Sequence, residues 1–285
     1  MSSFNRGSEW RKWDLHFHTP SSYDYKDKSI TNEDIINTLL SNNISVVAIT
    51  DHHIIDIERI EKLNELSNGR ITILPGIEFL ADARGKQPIH FIGIFSEASN
   101  LKYIWGQIEN NTAIKKVKGE GKKVNEVYCD LEDTINLIHE LGGVVSIHAG
   151  DKHSSIENIT HSLPHGEAQK TDIAQIVDIY ELGNESDQDG YRKFVFPSIN
   201  KVIPMIICSD NHNINKYDIK QYCWIKSEPI FEGLKQIIYE PERVMIQEEK
   251  PEIKTDYEVI KSIKIIDAKN TFTNEKIGFS NNLNL

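Results

Sequence analysis

Six short apolar runs, rich in β-branched residues and cut off by Gly, Pro or polar clusters, set the rhythm of the chain. They are ISVVAIT (44–50), ITILPGIEF (71–79), IHFIGIF (89–95), GVVSIHAG (143–150), IVDIYELG (176–183) and VIPMIICSD (202–210). Runs of this length and composition read as buried strands. Helical patterns fill most of the gaps. Thr31 with Asp34 starts one ahead of Ile35, Ile36, Leu39 and Leu40; Asp130 starts another that carries Leu131, Ile135, Ile138 and Leu141, and Gly142 stops it. Strands alternating with helices predict an α/β fold with a parallel sheet. About seven repeats are more than most open sheets need, which points to a closed barrel.

Histidine and carboxylate recur where these strands end. In DLHFHTPSSYD (14–24), His16 and His18 lie two apart on a short first strand, so both face one side. Asp51, His52 and His53 follow the second strand and Glu78 the third. His90 opens the fourth strand, IHFIGIF, His148 lies near the end of the next, and SDNH places Asp210 and His212 at the last. In a barrel the carboxyl ends of the strands form one rim, so residues far apart in sequence meet there. Imidazole and carboxylate without thiolate suit zinc, manganese or iron with open coordination positions, whereas a closed structural zinc site favours cysteine. So many ligands exceed what one ion takes. Two or three divalent ions sharing a bridging carboxylate are expected; such a cluster makes hydroxide at neutral pH and clamps both ends of a phosphoester displacement.

Charge narrows the partners. A net charge of −11 over 285 residues argues against a surface that wraps a long nucleic-acid duplex, but leaves open a nucleic-acid end in a metal pocket, where the ions supply the positive charge. Cys129, Cys208 and Cys223 are odd in number and lack CxxC spacing, which predicts free thiols and a reducing, cytoplasmic setting. No apolar run approaches the roughly 18 residues of a membrane span, and MSSFNRGSEWRKW lacks the apolar stretch of a signal peptide, so neither membrane insertion nor export is expected. Oligomeric state leaves no trace in the sequence.

Two segments break the rhythm. Between Lys115 and Lys123, within residues 110–129, five lysines stand against one glutamate, either as a solvated mobile insertion or as a basic flap over a phosphate-rich substrate. After EEKPE (248–252) the tail reads as two strands with nothing following to pair with them, as in a chain cut from a longer protein.

DLHFHT, TDHH, PGIE, SIHAG and SDNH, in this order across roughly residues 12 to 245, resemble the PHP superfamily, named for polymerase and histidinol phosphatase. The resemblance implies a distorted (β/α)7 barrel of the PHP type, with a trinuclear metal site at the C-terminal rim of the strands and phosphoester hydrolysis as the activity. Carried over, it places His16, His18, Glu78 and Asp210 around one metal. Glu78 bridges to a second metal held by His90 and His148, and Asp24, His52 and His212 hold a third. Asp51 would orient a ligand imidazole from outside. Glu181 stands where relatives often have another polar strand-end residue.

The opening RGSEWRKWDLHFHTPSSYD is similar to the start of large TrlF-like proteins, in which a PHP domain precedes an ATPase domain of the ABC or SMC type. That implies a PHP domain over 1–250, a linker and the start of a truncated ATPase domain over 251–285, and a nucleic-acid end or nucleotide as substrate in DNA repair or phage defence. No GxxxxGK[ST] sequence occurs here. Lys152, His153 and Arg192 are candidates to hold phosphate oxygens. His53, beside His52, faces the other way along a strand and reads as a support behind the ligands or as structural, while His161 and His165 read as loop residues near the rim. Two rivals to a nucleic-acid phosphoesterase stand: a small-molecule phosphatase of the histidinol-phosphatase type, and a noncatalytic PHP scaffold.

Overall fold

The computed structural model describes residues 9–82, 87–159, 164–219 and 221–251. Its first half follows the expected alternation: β1 (Trp10–Phe17), α1 (Asn32–Ser41), β2 (Ile44–Ile49), α2 (Ile57–Ser67), β3 (Thr72–Ala81) and β4 (Ile89–Ile94). Helices α3 (Leu101–Asn111), α4 (Lys115–Gly119) and α5 (Leu131–Glu140) precede β5 (Val144–Ala149); α6 (Pro164–Ile176) precedes β6 (Ile179–Leu182). α7 (Asp187–Gly190) runs through a π-helical turn, Tyr191–Val195, into α8 (Phe196–Ile199). β7 (Met205–Ile206), β8 (Tyr222–Lys226), α9 (Phe231–Tyr239) and β9 (Val244–Gln247) complete the described elements. Local chemistry sets the helix ends. Thr31 and Asp34 form a reciprocal capping box, Asp130 accepts from Asp133 N, and Gly142 follows α5 at φ +79°.

The strands form one sheet in the order β7-β6-β5-β4-β3-β2-β1-β8-β9, and β9 returns beside β7, so the barrel is distorted and nearly closed. It departs from the expected seven-stranded parallel barrel. Among the described residues there are nine strands, and β3–β4, β4–β5, β1–β8 and β8–β9 pair antiparallel. β3 ends at Ala81 and β4 begins at Ile89, a connection too short for the crossover that parallel pairing needs. One consequence bears on the site: the amino end of β4 lies at the same rim as the carboxyl ends of β5 and β6.

Two apolar layers hold the barrel. The inner plug includes Trp13, Leu15, Val46, Leu74, Ile92, Val144, Ile179 and Ile206, while the outer layer packs Ile35, Leu39, Ile60, Leu63, Ile135 and Ile138 of the helices onto the sheet. The lysine-rich insertion is folded rather than loose. Ile114, Val127 and Cys129 are buried, and Cys129 N donates to Leu80 O on β3. The tail expected to start a second domain, 252–285, and the loop residue His161 lie outside the described residues.

Candidate metal centre

The inner face of each strand changes character at the rim. Along β4 the inward positions run Ile94, Ile92, His90; along β5, Val144, Ser146, His148; along β6, Ile179, Glu181; along β3, Leu74, Gly76, Glu78. β1 reaches the same result by a different device. Its register against β2 slips between Asp14 and Phe17, three steps matching the two from Val47 to Ile49. The extra residue is a β-bulge, and it turns His16 and His18 to the side that Trp13 and Leu15 already face.

The rim stores backbone strain. Asp210, His53 and Ser154 all have left-handed φ, +48°, +54° and +57°, a region that non-glycine residues rarely occupy. Each is pinned by the fold. Asp210 N donates to His16 O, His53 N to Glu78 O, and Ser154 O accepts from His90 N. A side chain at Gly183 would meet the Lys152 backbone at 2.8 Å, so glycine lets the loop after β5 lie across the end of β6.

Glu78 is the hub. Its Oε2 lies 3.2 Å from His16 Nε2, 3.0 Å from His18 Nε2 and 3.2 Å from His52 Nδ1, and its Oε1 lies 2.6 Å from His90 Nδ1. Asp210 Oδ1 stands 3.4 Å from His16 Nε2 and 3.6 Å from His18 Nε2. Asp24 Oδ2 stands 3.1 Å from His212 Nε2 and 3.4 Å from His52 Nε2. Glu181 joins from β6, with His16 Nδ1 at 2.9 Å and His148 Nε2 at 3.6 Å.

Hydrogen bonds behind the rings decide which nitrogen faces inward. His148 Nδ1 donates to His153 O and His212 Nδ1 to Asp210 O, at 2.9 and 3.0 Å, so each Nε2 presents a lone pair to the cluster. For His18, the Ser22 hydroxyl donates to Asp24 Oδ1 and accepts His52 N–H. Its remaining lone pair takes Nδ1–H of His18 at 3.1 Å. His16 and His18 then bring their Nε2 atoms within 2.9 Å of each other. Lone pairs facing lone pairs and carboxylates repel unless positive charge lies between them. Protons or metal ions can supply it.

The electrostatics carry the same message. Burial works against charge on His16, but Asp210, Glu181 and Glu78 overcome it and raise its pKa well above the usual imidazole value; His18, buried beside Asp210 and Glu78, is pushed up to about 9. Burial also opposes charge on Glu78, yet His52, His16 and His90 hold it well below the ordinary carboxylate range. His148 goes the other way. Burial and the Lys152 charge lower it to about 3, so it stays neutral, the form that ligates metal.

The donor set fits divalent ions. His52 Nδ1, Glu78 Oε2 and His212 Nε2 are buried with no hydrogen-bond partner, and buried polar atoms are rarely left so. Four groups bring their ligand atoms within 4.8 Å of one another: His18, Asp24, His52 and His212; His16, His148 and Glu181; His16, His18 and Asp210; His52, Glu78 and His90. Shared members make this one continuous centre with room for several ions.

The nine residues expected as ligands therefore converge, joined by Glu181, to which the sequence assigned no role. Its signal was its place at the carboxyl end of a strand facing His148. Ser22 was missed as well; one serine in TPSSYD carries no mark of what it orients. Three expected roles need correction. Asp51 bonds no imidazole: its two oxygens take Thr19 N–H at 2.7 Å and Thr19 O–H at 2.6 Å, fixing the turn that follows His18. Lys152 is not a free cation for phosphate, because its Nζ lies 2.8 Å from Glu181 Oε1 and 3.1 Å from Asp210 Oδ2. Arg192 is exposed on the π-helical turn, bonds Gln188 Oε1, and lines a groove with Pro241 and Val244 at the seam between β7 and β9. His153 does reach the rim, with its ring 6.4 Å from that of His90.

Fold and rim together define a distorted, nearly closed barrel whose rim carries ligand sets for several metal ions. No family model matches the chain, and no curated protein does. Solved structures do. A two-domain protein from Bacteroides vulgatus ATCC 8482, described as containing a "predicted PHP-like metal-dependent phosphoesterase", matches with a TM-score of 0.52 and 16% identity over 83% of this chain. This chain spans 64% of that protein's length. A candidate metal-dependent phosphoesterase from Bifidobacterium adolescentis ATCC 15703 matches at TM-score 0.48 and 14% identity, over 80% of this chain and 96% of that one. An amidohydrolase from Chromobacterium violaceum, with bound sulfate and no metal, gives 0.49 and 15%, over 82% and 98%. The first of these likenesses establishes the fold.

Proposed function

We propose that the chain is a metal-dependent phosphoesterase that acts on nucleic acid or nucleotides, as a nuclease or an end-processing phosphatase. The observation that carries the reading is the convergence of imidazole lone pairs, locked by their outer hydrogen bonds, on Glu78, Asp24 and Asp210. His16, His18, Glu78 and Asp210 would hold one ion, His90 and His148 with Glu78 a second, and Asp24, His52 and His212 a third; Glu181 is a further ligand beside His16 and His148. Manganese, zinc or iron(II) bound there would make hydroxide available at neutral pH and neutralise phosphoryl oxygens.

The chain's own residues do the rest. Ser22, His153 O and Asp210 O hold the rings in the ligating tautomer, as outer partners of metal ligands do. Lys152 balances the charge of Glu181 and Asp210 and holds both side chains in place. Asp51 and Thr19 hold the backbone that turns from His18 toward Asp24. His153, exposed at the rim, would meet a phosphate oxygen. The resemblance to TrlF-like proteins supports work beside an ATPase domain in DNA repair or phage defence.

The test is manganese-dependent cleavage of end-labelled single-stranded DNA by the wild-type chain and by His18→Ala. Cleavage by the wild type alone supports the reading, and the band pattern separates nuclease from end-processing phosphatase. Rapid turnover of a small phosphomonoester with no action on oligonucleotides would replace it with the small-molecule phosphatase. Metal binding without turnover of either substrate would replace it with the noncatalytic scaffold.

A further inference from the structure

Next to the metal centre lies a crevice of about 120 Å³, far more than the roughly 10–15 Å³ that one water needs. Its lining includes His52 of the cluster, His53, Tyr23, and Trp105 with Val117 and Lys118 from α3 and α4. The lysine-rich insertion thus builds one wall of a cavity that opens beside the reaction centre. Tyr23 is 43% exposed although its ring lies 5.1 Å from that of His52, so an aromatic face stands open to solvent within reach of the ions' ligands.

His53 gives the crevice a chemical preference. Leu80 N donates to its Nε2 at 2.9 Å, so in the neutral ring the proton sits on Nδ1. That Nδ1 is buried and has no hydrogen-bond partner. A buried donor left unpaired is costly, and a ligand in the crevice can supply the acceptor. At the mouth, Lys118 lies 5.8 Å from the Trp105 ring and pairs with Glu109 at 2.5 Å, with Lys115 and Lys116 on the same short helix. Aromatic side chains, an unpaired ring N–H donor and clustered lysines in an otherwise acidic protein match one chemistry: a flat heteroaromatic ring with acceptors on its edge, attached to phosphates.

The geometry points to this crevice as the nucleobase subsite for the nucleotide whose phosphate is held at the metal centre. Tyr23 and Trp105 offer the stacking faces, and His53 Nδ1–H donates to the base. This rests on the phosphoesterase reading and sharpens it: recognition of a base makes the substrate a nucleotide or a nucleic-acid end rather than a sugar phosphate.

The experiment compares adenosine 5′-monophosphate with ribose 5-phosphate on the manganese-loaded full chain, measuring affinity by calorimetry and phosphate release separately. The wild type should bind the base-bearing ligand roughly 10-fold or more tightly, the scale of one stacked base. Trp105→Ala and Tyr23→Ala, both at partly exposed positions, should each cut that preference severalfold, while Arg192→Ala at the seam groove retains it. Equal affinity in the wild type, or a preference unmoved by both substitutions, overturns the subsite. Base-dependent binding with neither phosphate release from these ligands nor cleavage of end-labelled single-stranded DNA would leave the subsite standing and overturn the phosphoesterase reading instead.

Discussion

Ile92 and His90 sit two residues apart on β4 and face the same barrel interior, yet they belong to different regimes. Ile92 is fully buried in the apolar plug, where neighbouring side chains satisfy it by contact alone. His90 contributes to a rim where Glu78 lies among four imidazoles and three atoms of the expected ligands, His52 Nδ1, Glu78 Oε2 and His212 Nε2, lack a hydrogen-bond partner. The plug has no charge to neutralise, although two neutral polar atoms facing it, Trp13 Nε1 and Ser146 Oγ, also lack a hydrogen-bond partner. The rim is complete only with added positive charge, and the difference separates what folds the barrel from what the barrel is for.

The comparison breaks if a plug substitution disturbs the rim as much as the fold. Ile92→Ala should lower stability by about 2–5 kcal/mol, the range for buried Ile-to-Ala changes, while the folded protein still binds its ions; denaturant titration and metal analysis of the folded fraction check this. Chelation should do the converse. Ions bound only to the folded state stabilise it by about 2.7 kcal/mol at a hundredfold excess over Kd, so a chelator should lower Tm by several degrees and leave a protein with native circular dichroism at 25 °C. An unchanged Tm would mean that protons alone satisfy the rim. The smallest effect belongs to Arg192→Ala, outside both regions. It should shift stability by no more than about 0.5 kcal/mol and leave activity within about twofold, as measured by thermal melts and phosphate release.

Much of both regions was legible in the sequence, for different reasons. The plug shows as short β-branched runs, because strands buried on both faces need no alternation. The rim shows because histidine and carboxylate at strand ends are few and chemically specific. What was not legible depends on pairing. YCWIK and VMIQ became β8 and β9 because β8 pairs antiparallel with β1 and β9 with β8, a long-range choice that their own short patterns do not announce. The His16–His18 period placed both rings on one side, but which side was settled by the bulge between Asp14 and Phe17, set by pairing with β2. Lys152 and Arg192 have the same charge in the sequence. Only the fold turned one onto Glu181 and Asp210 and left the other at the seam.

The central claim is that the rim is a multi-metal centre, and metal content tests it most directly. After supplementation with manganese and removal of loosely bound ions, elemental analysis of the wild-type chain should find two or more equivalents, with fewer in Glu78→Gln because the shared carboxylate is weakened as a ligand. Less than one equivalent of any transition metal in the wild type would contradict the account.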